Sequence, residues 1–373
     1  MTVVLLIIGL VSLLGLVVVH EWGHFVAARR GGVEVEEFGV GFPPKIWSKK
    51  VKTEKSKFDF SVNLLPLGGF VRLKGESDDD ERPGSFGAAP LNVKVKILLA
   101  GVGMNALVAF ILFTILAATG MPQIVENQFS VSSDAKVVRE VKDKDVVLVG
   151  KIVDNSPAQK AGLQENDRII KINDQSITGV EAVSEATKQN AGKTIPIIIE
   201  RNGNQMVVGA TLNTENKGDG YLGVASASGR SGIEQVRSTW SSPIVAAGLI
   251  KQFSELTFKH LGIAVSSLFK GDTKTASEQV SGPVGVVYIF KEGGKLGLSF
   301  IIMIIAIISL TLALMNILPI PALDGGRLFV MLAFRAAGQK LTKAKEELIH
   351  GAGFAVLMIL FVLITIADVK RFF

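Results

Sequence analysis

Four long apolar runs are the dominant pattern in this chain, at residues 2–28, 97–119, 298–318 and 351–366. A helix needs about 20 mostly apolar residues to cross a bilayer, so each run predicts a transmembrane helix, the fourth being the shortest. The first run has no charged residue from Thr2 to Val19, no basic start and no small-residue cleavage site. We therefore expect it to remain a membrane helix rather than to be removed as a signal peptide.

Strand patterns occupy two of the segments between these runs. Within residues 31–95, the stretch FDFSVNLLPLGGFVRL alternates apolar and polar side chains and contains Gly68-Gly69, which predicts a β-hairpin or small sheet. A second β-rich segment extends over about 123–224, with a helix predicted at 180–189 and a hairpin turn at 201–204. The chain therefore combines membrane helices with β structure.

The second β-rich segment resembles a bacterial-type PDZ domain. The resemblance rests on Ser156-Pro157-Ala158, on Ala161-Gly162-Leu163, and on the run DRIIKIN that begins at Asp167. PDZ domains bind an extended peptide by adding it to a sheet edge, which makes a peptide C-terminus a candidate ligand here. Exclusion of bulky substrates by size, and a small β spacer without a ligand, are alternatives that the sequence leaves open.

The segment before the third run predicts an amphipathic helix over 243–269. Lys251, Glu255 and Lys259 recur at a spacing of four and lie opposite apolar residues. Such a helix would lie at the membrane interface, either as a gate for substrate or as a plain anchor.

Composition supports a membrane protein with a folded polar part. The mean hydropathy is +0.40 and 48% of residues are hydrophobic, yet 20% are charged. Cysteine is absent, so disulfides and thiolate ligands are excluded and any zinc must be bound by His, Asp or Glu. The net charge of +6 comes from Lys and Arg scattered beside apolar runs, without a basic stripe, which argues against nucleic-acid binding.

Basic residues flank the apolar runs in a pattern that predicts orientation. Arg29 and Arg30 follow the first run, Lys94 and Lys96 precede the second, and five Lys or Arg residues lie in 327–345. By the positive-inside rule these two loops are cytoplasmic, and the β-rich insertion is extracytoplasmic.

The predicted fold class is a polytopic α-helical membrane protein with four transmembrane helices, a cytoplasmic membrane-associated β-hairpin or sheet, and an inserted extracytoplasmic α+β PDZ domain. Its predicted parts are a first transmembrane helix in 1–30, the cytoplasmic hairpin loop in 31–95, a second transmembrane helix in 96–120, the PDZ domain in 121–228, the amphipathic region in 229–297, the third transmembrane helix with its Leu-Asp-Gly-Gly motif in 298–326, a cytoplasmic loop in 327–349, and the fourth transmembrane helix with the C-terminus in 350–373.

The first apolar run contains His20-Glu21-Trp22-Gly23-His24. On a helix, residues four apart share a face, so His20 and His24 can bind one metal ion, with Glu21 beside it to transfer a proton. Ionisable residues are costly in a bilayer and therefore point to function.

A third ligand is required, because catalytic zinc usually has three protein ligands and one open position. Asp324 is the strongest candidate, because Pro319 and Pro321 interrupt the third helix just before it and glycines follow it. His260 and His350 have no ligand spacing around them and are better interpreted as interfacial or structural residues.

Together, the His-Glu-Trp-Gly-His motif and the later Asn-x-x-Pro-x-Pro-x-Leu-Asp-Gly-Gly motif, with a PDZ-like insertion between them, resemble the site-2 protease family of intramembrane zinc metalloproteases. The resemblance is greatest to bacterial members with four spans and one PDZ domain. It covers nearly the whole chain and includes three shorter motifs: Gly68-Gly69-Phe70-Val71, Gly101-Val102-Gly103-Met104-Asn105, and Ser281-Gly282-Pro283-Val284-Gly285. The second of these departs from the family, since many members have Gly-Pro where this chain has Gly103-Met104.

The resemblance implies that His20, His24 and Asp324 bind Zn²⁺ and that Glu21 is the general base. It implies that Asn316, and less securely Asn105, positions the substrate backbone. The substrates would be single-span membrane proteins, such as anti-sigma factors or remnant signal peptides, cut in the bacterial inner membrane near its cytoplasmic side. Because an intramembrane helix must unwind before cleavage, the strand at Gly69, Phe70 and Val71 is a further candidate for binding substrate, a surface hairpin being the alternative.

A membrane adaptor and a zinc transporter are the alternatives to a protease. A noncatalytic PDZ membrane adaptor could use a structural metal site, although Glu21 would then have no reason to accompany the ligands. A zinc transporter should carry ionisable residues in several spans, whereas here they concentrate in two motifs.

Overall fold

The computed structural model describes residues 2–53, 56–139, 146–201, 204–216, 218, 220–229 and 234–372. The chain forms two compact units: one is Met1–Lys136 with Val236–Phe373, and the other is Val137–Gln235. We refer to them as the helical unit and the inserted unit. Two predicted turn residues, 202 and 203, lie outside the described residues.

The first half of the helical unit contains two long helices separated by a pair of long strands. Helix α1 spans Thr2–Arg30, strand β1 spans Val35–Thr53, strand β2 spans Ser56–Leu73, and helix α2 spans Leu91–Thr119. A two-residue strand, β3 (Met121–Pro122), follows α2. The strands predicted in residues 31–95 are present, and they pair antiparallel.

β1 and β2 bend so that one part of β1 has partners on both sides. Phe38 pairs with Val71 on one side and with Phe60 on the other. Within the described chain, residues 69–73 pair only with β1, so their second edge carries no strand. This edge lies beside α1, where the histidine motif is found.

The inserted unit is built on an antiparallel sheet with helices α3 (Pro157–Lys160) and α4 (Val180–Gln189). Its strands are β4 (Lys136–Arg139), β5 (Val146–Ile152), β6 (Arg168–Ile172), β7 (Gln175–Ser176), β8 (Thr194–Arg201), β9 (Asn204–Thr211) and β10 (Val224–Gly229). The main sheet has the order β10-β5-β6-β8-β9, and β7 pairs with β6.

Alternation along β8 explains the core of the inserted unit. Ile195, Ile197 and Ile199 point inward and are buried, while their neighbours face outward or are half-buried. Val183 and Ala186 of α4 belong to the same apolar cluster. Each buried Ile side chain stabilises the fold by about 1.5–3 kcal/mol relative to exposure.

The second half of the helical unit is a series of helices. After strand β11 (Gln235–Arg237), the helices are α5 (Ser242–Phe269), α6 (Thr273–Glu278), α7 (Pro283–Gly293), α8 (Leu298–Asn316), α9 (Asp324–Ala336) and α10 (Lys343–Phe372). Helix α9 lies in the segment predicted as a loop, because RLFVMLAFRA repeats apolar residues at helical spacing.

Among the described residues, four helices are long and apolar enough to cross a membrane: α1 from Ile7 to Arg30, α2, α8 and α10. The fourth is longer than predicted at both ends, since it continues through polar residues on either side of its apolar run. Many apolar side chains of α10, such as Val356 and Ile359, are exposed in the isolated protein. Lipid would cover these side chains.

Two buried aspartates close the helical unit. Asp134 accepts four hydrogen bonds, two each from Thr239 and Ser241 at the start of α5. Asp368 of α10 accepts the backbone N–H groups of Gly282 and Gly285, 2.8 Å away in each case. The Asp368 carboxylate thus satisfies backbone N–H groups at the start of α7 that have no partner within the helix, and it joins α7 to α10.

Candidate metal centre

Helix α1 presents the two histidines of the predicted site on one face. His20 and His24 are 8% and 9% exposed, and the imidazole Nε2 atoms lie 3.2 Å apart. Their spacing of four residues produces this arrangement, because a helix repeats every 3.6 residues. Buried imidazoles need hydrogen-bond or metal partners, so partners for both rings are expected nearby.

Asp324, the first residue of α9, completes a triangle with the histidines. Its Oδ2 atom lies 3.0 Å from His20 Nε2 and 3.3 Å from His24 Nε2. Oδ2 is buried and accepts no regular hydrogen bond from the described residues. Two histidines four residues apart and an aspartate from much later in the chain thus point their ligand atoms at one position.

The loop between α8 and α9 brings Asp324 to this position. A Cβ at Gly325 would lie 2.2 Å from the Ile317 carbonyl oxygen, and a Cβ at Gly326 would lie 1.9 Å from that of Ile320. Only glycine permits the start of α9 to approach the loop backbone so closely. The proline-interrupted helix predicted from the sequence therefore turns back on itself here.

Helix α2 contacts the metal-facing Nε2 atoms of both imidazoles through Gly101. A Cβ at this position would lie 2.5 Å from His24 Nε2 and 2.6 Å from His20 Nε2. Gly23 of α1 is equally tight, since its Cβ would lie 2.5 Å from the Ala100 carbonyl oxygen. Small residues allow two membrane helices to approach closely, and here they do so at the level of the metal centre.

Hydrogen bonds from α2 orient both imidazoles. His24 Nδ1 lies 2.7 Å from the Ile97 carbonyl oxygen, which can only accept. Nδ1 therefore carries the proton, and the Nε2 lone pair is directed at the triangle.

His20 Nδ1 lies 3.3 Å from the side-chain amide of Asn105, whose Oδ1 has no described hydrogen-bond partner. If Nε2 of His20 binds a metal, Nδ1 carries a proton and requires an acceptor. Exchanging the O and N atoms of the amide supplies one, and this assignment is the one we adopt.

Glu21 lies between the histidines and the free edge of β2. The Val71 backbone hydrogen-bonds its carboxylate, and a Cβ at Gly69 would lie 3.5 Å from Glu21 Cγ. The structure therefore brings Gly69, Phe70 and Val71, predicted to bind substrate, next to the predicted general base.

The remaining predicted residues lie apart from the triangle. Asn316 is the last residue of α8 and is half-buried, and among the described residues no hydrogen bond joins it to the ligands. His260 contacts Gln279, and His350 accepts the backbone N–H of Ala322. In the described chain, His20, His24 and Asp324 form the group of His and acidic side chains that could hold a metal ion.

Sequence reasoning gave no role to Gly101 or to the Ile97 carbonyl and assigned Asn105 to substrate. One signal was available for two of them. Gly101 and Asn105 are four residues apart in α2 and so must share a helix face.

The donor set fits zinc. Two imidazole nitrogens and a carboxylate oxygen are typical ligands of catalytic zinc, which keeps its fourth position open. Ligand bonds of about 2.0–2.1 Å in a tetrahedron place the ligand atoms about 3.3 Å apart. The three observed separations of 3.0–3.3 Å agree with this value.

Four membrane-length helices around a buried His-His-Asp centre define an integral membrane protein with a hydrolase-type metal site. Comparison with known proteins identifies its family. The model of peptidase family M50 matches residues 8–360, and the chain belongs to this family.

Two relatives illustrate the similarity. A candidate zinc metalloprotease of Clostridium acetobutylicum is 31% identical over 364 residues, covering 98% of this chain and 97% of the relative. The zinc metalloprotease RasP of Oceanobacillus iheyensis is 27% identical over 441 residues, covering 96% and 97%. The protein is therefore a zinc metalloprotease in a membrane, as predicted.

Proposed function

We propose that this enzyme cuts peptide bonds within or next to the membrane-spanning segment of single-span proteins, with His20, His24 and Asp324 as zinc ligands. One observation carries the proposal: the three ligand atoms converge inside a bundle of membrane-length helices, beside Glu21 and a free strand edge. Zinc bound there would act as a Lewis acid and would make water nucleophilic near neutral pH.

Glu21 takes a proton from the attacking water and returns it to the leaving amine. Glu21 is the residue after His20, and the Val71 backbone hydrogen-bonds its carboxylate, so the carboxylate stays beside the ligands. A positioned acid-base group of this kind contributes about 10²–10⁴-fold to the rate.

The free edge of residues 69–73 binds the unwound substrate as an added strand. Backbone hydrogen bonds to Gly69 and to the Val71 carbonyl oxygen would replace those that the substrate loses when its helix opens, while the Val71 N–H donates to Glu21. Gly69 has no side chain, which lets the strand lie close to Glu21 of α1.

An apolar cavity of about 820 Å³ offers a route for the substrate helix. Its lining comes from α1, α7, α8 and α10 and reaches Gly68, the neighbour of Gly69. Representative lining residues are Leu10, Val17, Pro283, Ile308 and Phe361. A transmembrane segment lying in this cavity would have one end beside the catalytic residues.

Two asparagines receive different roles in this proposal. Asn105 is 1% exposed and contacts His20, so we assign it to orienting that ligand rather than to binding substrate. Asn316 at the end of α8 is half-buried, and we retain it as a residue that positions the substrate backbone.

Basic flanks support the proposed orientation in a bacterial inner membrane. Arg29, Arg30 and the Lys and Arg residues of 327–345 favour a cytoplasmic location for the sheet of β1 and β2 and for helix α9. The inserted unit is then extracytoplasmic. We propose that it is a PDZ domain, given its antiparallel sheet, its helix α4 and its Ser-Pro-Ala motif, and that it binds a trimmed substrate terminus or excludes untrimmed substrates.

Substitution Glu21→Gln tests the catalytic assignment. The variant should keep its zinc while cleavage of a reporter membrane protein falls by at least about 100-fold, because the ligands remain but the base is lost. His24→Ala should lose both zinc and cleavage. Unchanged cleavage by Glu21→Gln would refute the role of Glu21.

The same variants address the adaptor alternative through the cell's own membrane proteins. Proteomics of membrane fragments should reveal cleavage products that disappear in His24→Ala cells. An identical fragment pattern in cells with the native protein and in cells with His24→Ala would favour a noncatalytic adaptor.

A further inference from the structure

Four charged side chains from four different segments meet in the helical unit, away from the metal ligands. We refer to Lys94 of α2, Asp78 of the loop 74–90, Arg327 of α9 and Glu346 of α10 as the charged cluster. Lys94 is 1% exposed and Glu346 is 7% exposed. The sequence predicts Lys94 as a charge that flanks the second apolar run, and it does lie in the first turn of α2; its burial in an ion pair with Asp78 was not predicted.

The contacts of the charged cluster are continuous. Lys94 forms an ion pair with Asp78, whose backbone N–H donates to Glu346 Oε2 at 3.1 Å. Glu346 Oε1 in turn accepts from Arg327 Nε at 3.2 Å. Four segments are therefore connected through a single line of charge-assisted hydrogen bonds.

Arg327 makes two further contacts with the loop 74–90. Its guanidinium donates to the Glu76 carbonyl oxygen and lies over the Phe86 ring, 4.9 Å from the ring centre. Lys94 lies near the same ring at 5.6 Å. A guanidinium is rigid and planar, so three contacts define its position far better than one ion pair would.

Arg327 lies one helical turn after Asp324 in α9. A restraint on its guanidinium therefore restrains the first turn of α9, which carries the third metal ligand. The preceding loop is held by the hydrogen bond from the Ala322 N–H to His350 and by close backbone packing against the two glycines that follow Asp324. Arg327 adds a side-chain restraint from within α9 itself.

The same loop also joins the strand beside Glu21. The Leu73 N–H, at the end of β2, donates to Glu76 Oε1 at 2.8 Å. The start of α9, through Arg327, and the end of β2, through Leu73, thus both contact Glu76 of the loop 74–90. The helix that carries Asp324 and the strand that carries the free edge are therefore both fixed to the loop 74–90.

Stability alone does not explain a buried cluster of this kind. Well-packed apolar residues often replace buried ion pairs without loss of stability, whereas ion pairs restrict the geometry of their partners. We propose that Arg327, acting through Glu346 and the loop 74–90, is a positioning residue that holds Asp324 in place for zinc binding. This inference rests on the proposed ligand set.

The test measures zinc affinity of the intact protein in detergent by competition with a chelator, alongside thermal unfolding. Arg327→Gln should bind zinc about 10–100-fold more weakly, the range typical of residues that support a metal ligand. Arg327→Lys keeps the charge but loses the planar fork, so its loss should be smaller but measurable. Arg335→Gln changes an exposed arginine of the same helix and should stay within about twofold of the native affinity.

A double variant tests the route through Glu346. If Arg327 acts through Glu346, Arg327→Gln with Glu346→Gln should bind zinc no more weakly than Arg327→Gln alone. Losses that multiply in the double variant would overturn this route. If Arg327→Gln does not fold, Arg327→Lys decides the question by the same measurement.

His20→Ala separates this inference from the ligand assignment. Native zinc affinity in His20→Ala would overturn the proposed metal centre itself. Loss of zinc in His20→Ala, combined with native affinity in a folded Arg327→Gln or Arg327→Lys variant, would overturn only the positioning role.

Discussion

Gly101→Ala is the smallest change that should disturb the metal centre. The added Cβ would lie 2.5 Å from His24 Nε2 and 2.6 Å from His20 Nε2, with the imidazoles held between α1 and α9. An ordinary contact needs 3.4 Å, so the two helices or the imidazoles must separate by about 0.9 Å.

The size of the effect follows from that displacement. Moving catalytic groups by about 1 Å lowers rates by about 100-fold. This corresponds to about 2.7 kcal/mol of lost transition-state stabilisation. Zinc affinity should fall as well, because both histidines are displaced from Asp324 at once.

Gly103→Ala is the matched control, since a Cβ there meets nothing within 4 Å. Both substitutions add one methyl group to α2, and both raise helix propensity by about 1 kcal/mol. The assay compares zinc affinity and reporter cleavage in the two variants. Equal zinc affinity and equal cleavage would show that α2 does not contact the imidazoles as described.

Three further predictions concern other parts of the chain. Burial opposes the ionisation of Asp134, but the four hydrogen bonds that it accepts hold the pKa of its carboxyl below the usual range, so Asp134→Asn should lower the melting temperature at neutral pH. A carboxyl with a lowered pKa in the folded state stabilises the fold fully above its unfolded pKa of about 3.9, and this stabilisation disappears as the pH falls toward the folded pKa. The difference in melting temperature between the native protein and the variant should therefore shrink below about pH 4. A difference that stays constant with pH would contradict this explanation. Ile197→Ala should destabilise the inserted unit by about 2–5 kcal/mol and speed its proteolysis in the intact protein, whereas Val207→Ala, at an exposed position, should not. Asn105→Ala should weaken zinc binding by about 10-fold through His20, and native affinity would exclude this orienting role.

Local patterns predicted much of this protein. The four apolar runs correspond to α1, α2, α8 and α10, and the residues 180–189 form the predicted helix. The His20 and His24 pair needed only helix geometry, and Asp324 needed only the proline and glycine residues around it. Each of these depends on residues within a few positions of one another.

Contacts between distant segments were not predictable in the same way. Asp78 and Glu346 are 268 residues apart, and Lys94 is paired only because the loop 74–90 folds back onto α2. In sequence, Lys94 has the same neighbours as any basic residue at a membrane boundary. The contact of Asn105 with His20, which is 85 residues away, was not predicted for the same reason.

The contact of Asp134 with Thr239 and Ser241 has a consequence for how such a protein can change over evolutionary time. It joins two points of the helical unit that are 105 residues apart, and the inserted unit lies between them in the sequence. The entropy cost of closing the intervening chain grows only with the logarithm of its length, so doubling that length costs only about 0.6 kcal/mol more. The insert can therefore be enlarged, duplicated or replaced while the catalytic helices keep their spacing, which makes it an exchangeable module.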